Sequence, residues 1–311
     1  MHSMIRLSCL MVAGFLALVA EASAATLEVG ENKTYKLPSN AAAQAKNGDT
    51  IEIYPGEYFD CAIWRQSNII IVGKGDGVVI TDKTCQGKGI FVTSGNDITI
   101  ENMTLQRARV PDGNGAGIRG EGVNLTIKGV KFINNENGIL YADSPKSELR
   151  IINSEFTANG SCANAGGCAH GIYINNHALV RVEGSKFFGT KNGHHIKSRA
   201  ARTELIRNEI RDGADGTASY LVDIPNGGSL VLENNIMQKG PKAENRSAAV
   251  VIGADGITHR TVELIVKGNE FTNTGTYKPA FVRNLTATPA VLTGNKIKGE
   301  VTPLLGDGSV R

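Results

Sequence analysis

Between positions 170 and 223 the chain collects His170, Tyr173, Asn175, His194, His195, Lys197, Arg199, Tyr220 and Asp223. Lys197 and Arg199, two positions apart on an extended segment, would project from the same face and could neutralise a carboxylate. A lysine beside a second cation loses its proton more easily, so Lys197 could act as a base, as could His195. Tyr173 or Tyr220 could return a proton to a leaving oxygen. Together these groups suit one reaction: removing the proton on the carbon next to a carboxylate and expelling the oxygen beyond it. The plain alternatives are structural. A histidine at a corner often satisfies backbone carbonyls, and an exposed Lys197–Asp223 pair stabilises by only about 0–1 kcal/mol.

What must bring these residues together is a repeat. Eight times between Ile98 and Ile297 the chain writes an apolar residue, another two further on, then Gly or Asn, then an apolar residue three later. The closing residues are Leu105, Phe132, Phe156, Phe187, Ile210, Met237, Phe271 and Ile297, and the bend positions are Asn102, Gly129, Asn153, Gly184, Arg207, Asn234, Gly268 and Gly294. Only Arg207 departs from the Gly/Asn rule. Apolar pairs at spacing two are strands with one buried face, and Gly or Asn after them supplies the left-handed backbone of a sharp bend. Copies recur every 23 to 34 residues, so each is one rung that cannot bury its apolar face alone.

Each rung carries a further strand upstream, with first inward residues Ile90, Ile118, Ile139, Ile172, Ile196, Val222, Val251 and Phe281. Three short strands per turn and few helix signals predict an all-β fold: a single-stranded right-handed parallel β-helix with a short N-terminal capping helix. Alternation then gives an outward column Phe91, Arg119, Leu140, Tyr173, Lys197, Asp223, Ile252, Val282, with Glu121, Asn175 and Arg199 two positions on. Tyr173, Lys197 and Asp223 should stack about 4.8 Å apart, with His170, His194, His195 and Tyr220 at one edge. Arg119 and Glu121, three rungs from Lys197, would be remote substrate contacts.

Positions 1–24, with Arg6, the apolar run from Leu7 to Ala20 and Ala22-Ser23-Ala24, read as a cleavable signal peptide. The protein is then secreted or periplasmic, with no membrane span after signal removal. Residues 25–49 are expected to form an N-terminal cap containing a helix from Ser39 to Lys46, residues 50–301 the β-helix, and residues 302–311 a cap or tail. The net charge of +3 in 311 residues argues against a nucleic-acid partner. Cys61 and Cys85, one rung apart, and Cys162 and Cys168, closing a small loop, read as two disulfides in an exported chain. The competing reading, a metal site from Cys162, Cys168, His170, His194 and His195, matches no closed zinc spacing. No metal or cofactor is expected; Ca²⁺ would have only Asp223, Asn175 and Asn226 to hold it.

In these residues the chain resembles the pectate-lyase-like superfamily of right-handed parallel β-helices, which includes polysaccharide lyases, C5-epimerases and glycosidases. Lys197-Ser198 is similar to the base segment of its alginate and chondroitin lyase branch, where an Arg follows on the next rung; here that rung offers Asp223, and Arg199 sits on the Lys197 strand. The resemblance implies a monomer acting on a polysaccharide or oligosaccharide, by β-elimination from a uronate. In that scheme Arg199 neutralises, Lys197 or His195 takes the proton and Tyr173 or Tyr220 donates. C5-epimerisation, glycoside hydrolysis and non-catalytic glycan binding are the alternatives. Hydrolysis needs two carboxylates about 5–9.5 Å apart, whereas Glu121 and Asp223 should lie four rungs apart. Asp212 or Asp215 could supply a missing acid.

Overall fold

The apolar repeat closes on itself in the way its spacing requires. A computed structural model describes residues 24–163 and 167–311, so the leader expected at positions 1–24 lies, but for Ala24, outside the described residues. Among the described residues thirty-two short strands form three parallel sheets of twelve, ten and ten, wound as a β-helix whose parallel crossovers take the usual right hand. Leu105, Phe132, Phe156, Phe187, Ile210, Met237, Phe271 and Ile297 pair in one unbroken ladder. All of them are fully or almost fully buried except Ile297, beside the last rung. Within this ladder Phe132, Phe156 and Phe187 stack with centroids 4.6 and 4.5 Å apart, each buried ring contributing about 1.5–3 kcal/mol.

The bend positions behave alike whatever residue fills them. Asn102, Gly129, Asn153, Gly184, Arg207, Asn234, Gly268 and Gly294 all have φ between +48° and +65°. Arg207 breaks the sequence rule yet adopts the same left-handed conformation, because neighbouring rungs fix the corner. In the last four of these rungs the residue after the bend is an asparagine, and these build a largely buried ladder that the sequence pattern did not signal. The Oδ1 atoms of Asn208, Asn235, Asn269 and Asn295 accept the backbone N–H of Ser185, Asn208, Asn235 and Asn269 in turn, at 2.8–3.0 Å. Their amides donate to Val182, Leu205, Leu232 and Val266 carbonyls. Sharp corners free backbone groups, and the asparagines satisfy them.

Three boundaries differ from expectation. Thr26–Val29 pairs with Thr50–Ile53, so the coil begins within the segment expected to be only a cap. Thr302–Leu305 and Gly308–Val310 pair with Ala280–Asn284 and Ala290–Thr293, making residues 302–311 part of a rung rather than a cap or tail. The helix spans Pro38–Gln44, not 39–46: Pro38 fits the first turn, and the cap comes from another rung, where Asp60 accepts the Ser39 N–H at 2.8 Å. Ala41 and Ala42 are buried where this helix packs on Thr26–Val29 and Ala62–Trp64. Both disulfides form as paired in the sequence, Cys61–Cys85 and Cys162–Cys168. Among the described residues no helix is long and apolar enough to cross a membrane.

The sheet carrying the candidate residues runs from Ala62–Trp64 to Thr302–Leu305. Its inward ladder is Phe91, Ile118, Ile139, Ile172, Ile196, Val222, Val250 and Val282. The outward column is therefore Val92, Arg119, Leu140, Tyr173, Lys197, Asp223, Val251 and Arg283. Expectation holds through the five central rungs and is one residue out at three others. Around Phe91 and Val251 the immediate neighbours are apolar and alternation carries no phase, whereas Ala280–Asn284 has its outward charge, Arg283, one residue beyond the expected Val282.

Candidate active site

Tyr173, Lys197 and Asp223 are direct register partners on adjacent rungs. Lys197 Nζ lies 3.5 Å from Asp223 Oδ2 and 5.4 Å from the Tyr173 ring centre. Arg199, on the Lys197 strand extension, donates from Nε to the Tyr173 hydroxyl at 3.1 Å, from one terminal nitrogen to Asn226 Oδ1 and from the other to Asp255 Oδ2 at 2.8 Å. Tyr173 accepts from Arg199, so its own O–H proton remains to be given away. Three bonds leave two of the five guanidinium N–H groups of Arg199 for a ligand.

His170, His194 and Tyr220 form a stack along one edge, with ring centres 4.9 and 5.1 Å apart, and His170 meets the Tyr173 ring edge-on at 5.1 Å. Backbone amides hold the imidazoles: His194 N–H donates to His170 Nδ1 at 2.9 Å, and Tyr220 N–H to His194 Nδ1 at 3.1 Å. Gly193 permits this approach, with φ of +52° and no side chain to crowd His170 Nδ1. Burial, reinforced by the Lys197 charge, pushes the His194 imidazole down to about 3, and burial likewise holds His170 well below the ordinary histidine range. Both rings are neutral at physiological pH.

Asp223 sits behind this layer, 3 % exposed, with Oδ2 3.3 Å from His194 Nε2 and Oδ1 without a hydrogen-bond partner among the described residues. Burial raises its carboxyl to about 6 against the pull of Lys197. It supports Lys197 and His194 and does not line the cleft.

Several expected residues stand elsewhere. His195, expected at the exposed edge, is fully buried: Nε2 pairs with Asp212 at 2.9 Å and Nδ1 with Thr190 Oγ1 at 2.8 Å. The turn at Gly193 directs it into the corner, so it cannot reach a ligand. The same network occupies Asp212, whose other oxygen accepts Gly240 N–H, while exposed Asp215 pairs with Lys242. Arg119 and Glu121 are bound up with each other and with Lys88, outside the cleft. Asn175 donates from Nδ2 to the Tyr141 carbonyl, and Asn226 Oδ1 accepts from Arg199.

The cleft over this sheet has a volume of about 650 Å³. Its floor is Leu140, Tyr173, Lys197 and Arg199, its edge His170 and His194, and its rims Asp112–Asn114, Gly167–Ala169 and Glu244. Glu136 fastens the first rim, accepting Val110 and Gly115 N–H at 3.1 and 2.7 Å. The Cys162–Cys168 disulfide ties the second. Sequence reasoning missed these rims and also Lys239, fully buried behind the cleft and donating to the Ser219 carbonyl at 2.6 Å. Burial lowers its ammonium to about 8. A signal existed: Lys239 lies two after inward Met237, a charge on the core-facing phase.

The family model described as "Periplasmic copper-binding protein (NosD)" matches residues 29–214, well over half of the chain. The chain belongs to the NosD family. Among solved structures, the pectate lyase Pel9A superposes with a TM-score of 0.59 at 13% identity, over 93% of this chain and 79% of that one. The Azotobacter vinelandii mannuronan C-5 epimerase AlgE4 A-module matches with a TM-score of 0.39 at 11% identity, over 88% and 93%. The Pel9A likeness shows the pectate-lyase-like parallel β-helix fold of this NosD-family chain. No curated protein matches it. Two disulfides mark an oxidising compartment, in keeping with the family's periplasmic description.

The family description also implies copper, and the residues do not fit it. Among the described residues no three His, Cys, Asp or Glu side chains gather as metal ligands. The four cysteines among the described residues are oxidised, Met103 and Met237 are buried in the core, and His170 and His194 have each given their neutral-ring lone pair to a backbone amide.

Proposed function

We propose that the protein is a polysaccharide lyase that cleaves an acidic, uronate-containing glycan by β-elimination. The observation that carries this reading is Lys197 and Arg199 lining one cleft, on one strand, with the Tyr173 hydroxyl hydrogen-bonded to Arg199. Arg199 meets the uronate carboxylate with its two remaining donors and stabilises charge as it spreads onto that group. Lys197 Nζ takes the proton from the adjoining ring carbon, and the ammonium so formed is met by the Asp223 carboxylate. The electron pair left behind forms the ring double bond while the glycosidic carbon–oxygen bond breaks. Tyr173 gives its proton to the departing oxygen, and the phenolate formed stays beside Arg199 Nε.

Hydrolysis is the weaker reading because Asp212, Asp215 and Glu121, the acids considered for it, are buried or paired away from the cleft. Incubation of the purified protein with a panel of polyuronates and neutral glucans tests the proposal. A lyase generates unsaturated, ultraviolet-absorbing ends on at least one polyuronate. New reducing ends without absorbance would identify a hydrolase, inversion at C5 without cleavage an epimerase, and binding alone a glycan-recognition module.

A further inference from the structure

We propose that His170 is a neutral hydrogen-bond donor to the carboxylate of an acidic sugar in the cleft, its Nε2–H aimed by the backbone, and that it serves neither as a base nor as a metal ligand. The inference rests on the reading of this cleft as a uronate site and adds the group that recognises the acid function beside Lys197 and Arg199.

The geometry begins with Nδ1. That atom accepts the His194 N–H at 2.9 Å, and a neutral imidazole accepting at one nitrogen carries its proton on the other. The ring is held in this orientation from several sides. His170 N–H donates to Asn137 Oδ1 at 2.8 Å, the His194 ring lies over it at 4.9 Å, and the Tyr173 edge packs at 5.1 Å. Turning the ring over would break the hydrogen bond from the His194 amide and set a C–H against that N–H, and moving the ring proton to Nδ1 would set an N–H there. Burial beside the cations Lys197 and Arg199 keeps the ring from charging.

His194 is held in the same tautomer, but its Nε2–H is directed to Asp223 Oδ2. His170 Nε2 has no partner among the described residues, and the residue lines the cleft. An uncharged donor fixed beside two cations suits a ligand that is itself anionic: it adds a directed hydrogen bond without adding charge. The same tautomer is the physical reason for the misfit with copper, which needs the lone pair that the backbone has taken.

The test uses the full chain in the Lys197→Ala background, which leaves ligands intact, with tri-galacturonate, tri-mannuronate and tri-glucuronate as probes and cellotriose as the neutral control. His170→Phe keeps a stacking ring and removes the donor; His170→Gln restores a donor near the Nε2 position. The expected result is a loss of about 10- to 100-fold in affinity for the bound uronate with Phe, most of it recovered with Gln, and no change with cellotriose. Nitrogen NMR of histidine-labelled wild-type protein should show His170 neutral, bare at Nδ1 and protonated at Nε2, with its signal unmoved by Cu²⁺. Unchanged uronate affinity in His170→Phe, no binding of any of the three probes, or a Cu²⁺-shifted His170 signal would overturn the proposal. His170-dependent binding without unsaturated product in wild type would instead remove the lyase chemistry and leave the donor role standing. Undiminished product from His170→Phe in the Lys197 protein would do the reverse.

Discussion

Lys197 Nζ and Asp223 Oδ2 face each other across one rung step at 3.5 Å, with the other Asp223 oxygen buried and unpartnered. A carboxylate left partly unsatisfied in the interior destabilises the fold, and here the group it supports is the one in the cleft.

Replacing Lys197 by Ala should abolish unsaturated product and lower the thermal unfolding midpoint, because the buried Asp223 carboxylate loses the cation that faces it. Absorbance assays and a melting curve on the same preparation check both halves. Retained turnover would remove Lys197 from the mechanism.

Asp223→Asn should trade activity for stability. The folded carboxyl titrates near 6 against an ordinary 3.8, so its contribution to stability is complete below about 3.8 and is lost as pH rises through 6. At pH 8 the amide should therefore stabilise the protein by about 2–3 kcal/mol, and the gain should vanish near pH 4. Turnover should fall about 10- to 100-fold as Lys197 and His194 lose their shared anchor. Urea unfolding at the two pH values reads the first effect.

Acid should unfold the protein through its histidines before its carboxylates. His194 is held down to about 3, and His170 and His177 are also lowered, in each case first by burial. Below the ordinary value of 6.5 the unfolded chain binds protons that the folded one refuses, so stability is full above 6.5 and falls as pH drops towards 3. Each such histidine adds a slope of up to about 1.4 kcal/mol per pH unit. Melting temperatures measured from pH 7 to pH 5 should decline steadily; a flat profile would contradict the neutral stack.

Asn235→Ala should cost about 3 kcal/mol or more. It would strip partners from the buried Asn208 N–H and Leu205 carbonyl and leave Asn269 Oδ1 only the backbone N–H of residue 235. Denaturant midpoints report the loss. A cost below about 1 kcal/mol would mean that the corner relaxes around the gap.

The sequence by itself determined the coil. Apolar pairs at spacing two, followed by a bend residue and a closing apolar residue, fix strand, corner and register, since a one-residue slip would expose a whole buried ladder. That is why the phase of Tyr173, Lys197 and Asp223 was legible: each is a polar residue directly after an inward apolar one, Ile172, Ile196 and Val222. Around Phe91 and Val251 the neighbours are apolar and no such contrast exists, and in Ala280–Asn284 the outward charge, Arg283, lies one residue beyond the expected position. Tertiary structure alone decided what lies at the corners. The sequence sets His170, His194 and His195 at one edge, yet backbone turning sends His195 into a closed network with Asp212 and leaves His170 at the cleft. The tautomers of His170 and His194, the burial of Asp223 and Lys239, and the rims anchored by Glu136 and the Cys162–Cys168 bridge depend on amides and loops of other rungs. Side-chain pattern records which face a strand buries; it carries no record of which backbone group a neighbouring turn will present.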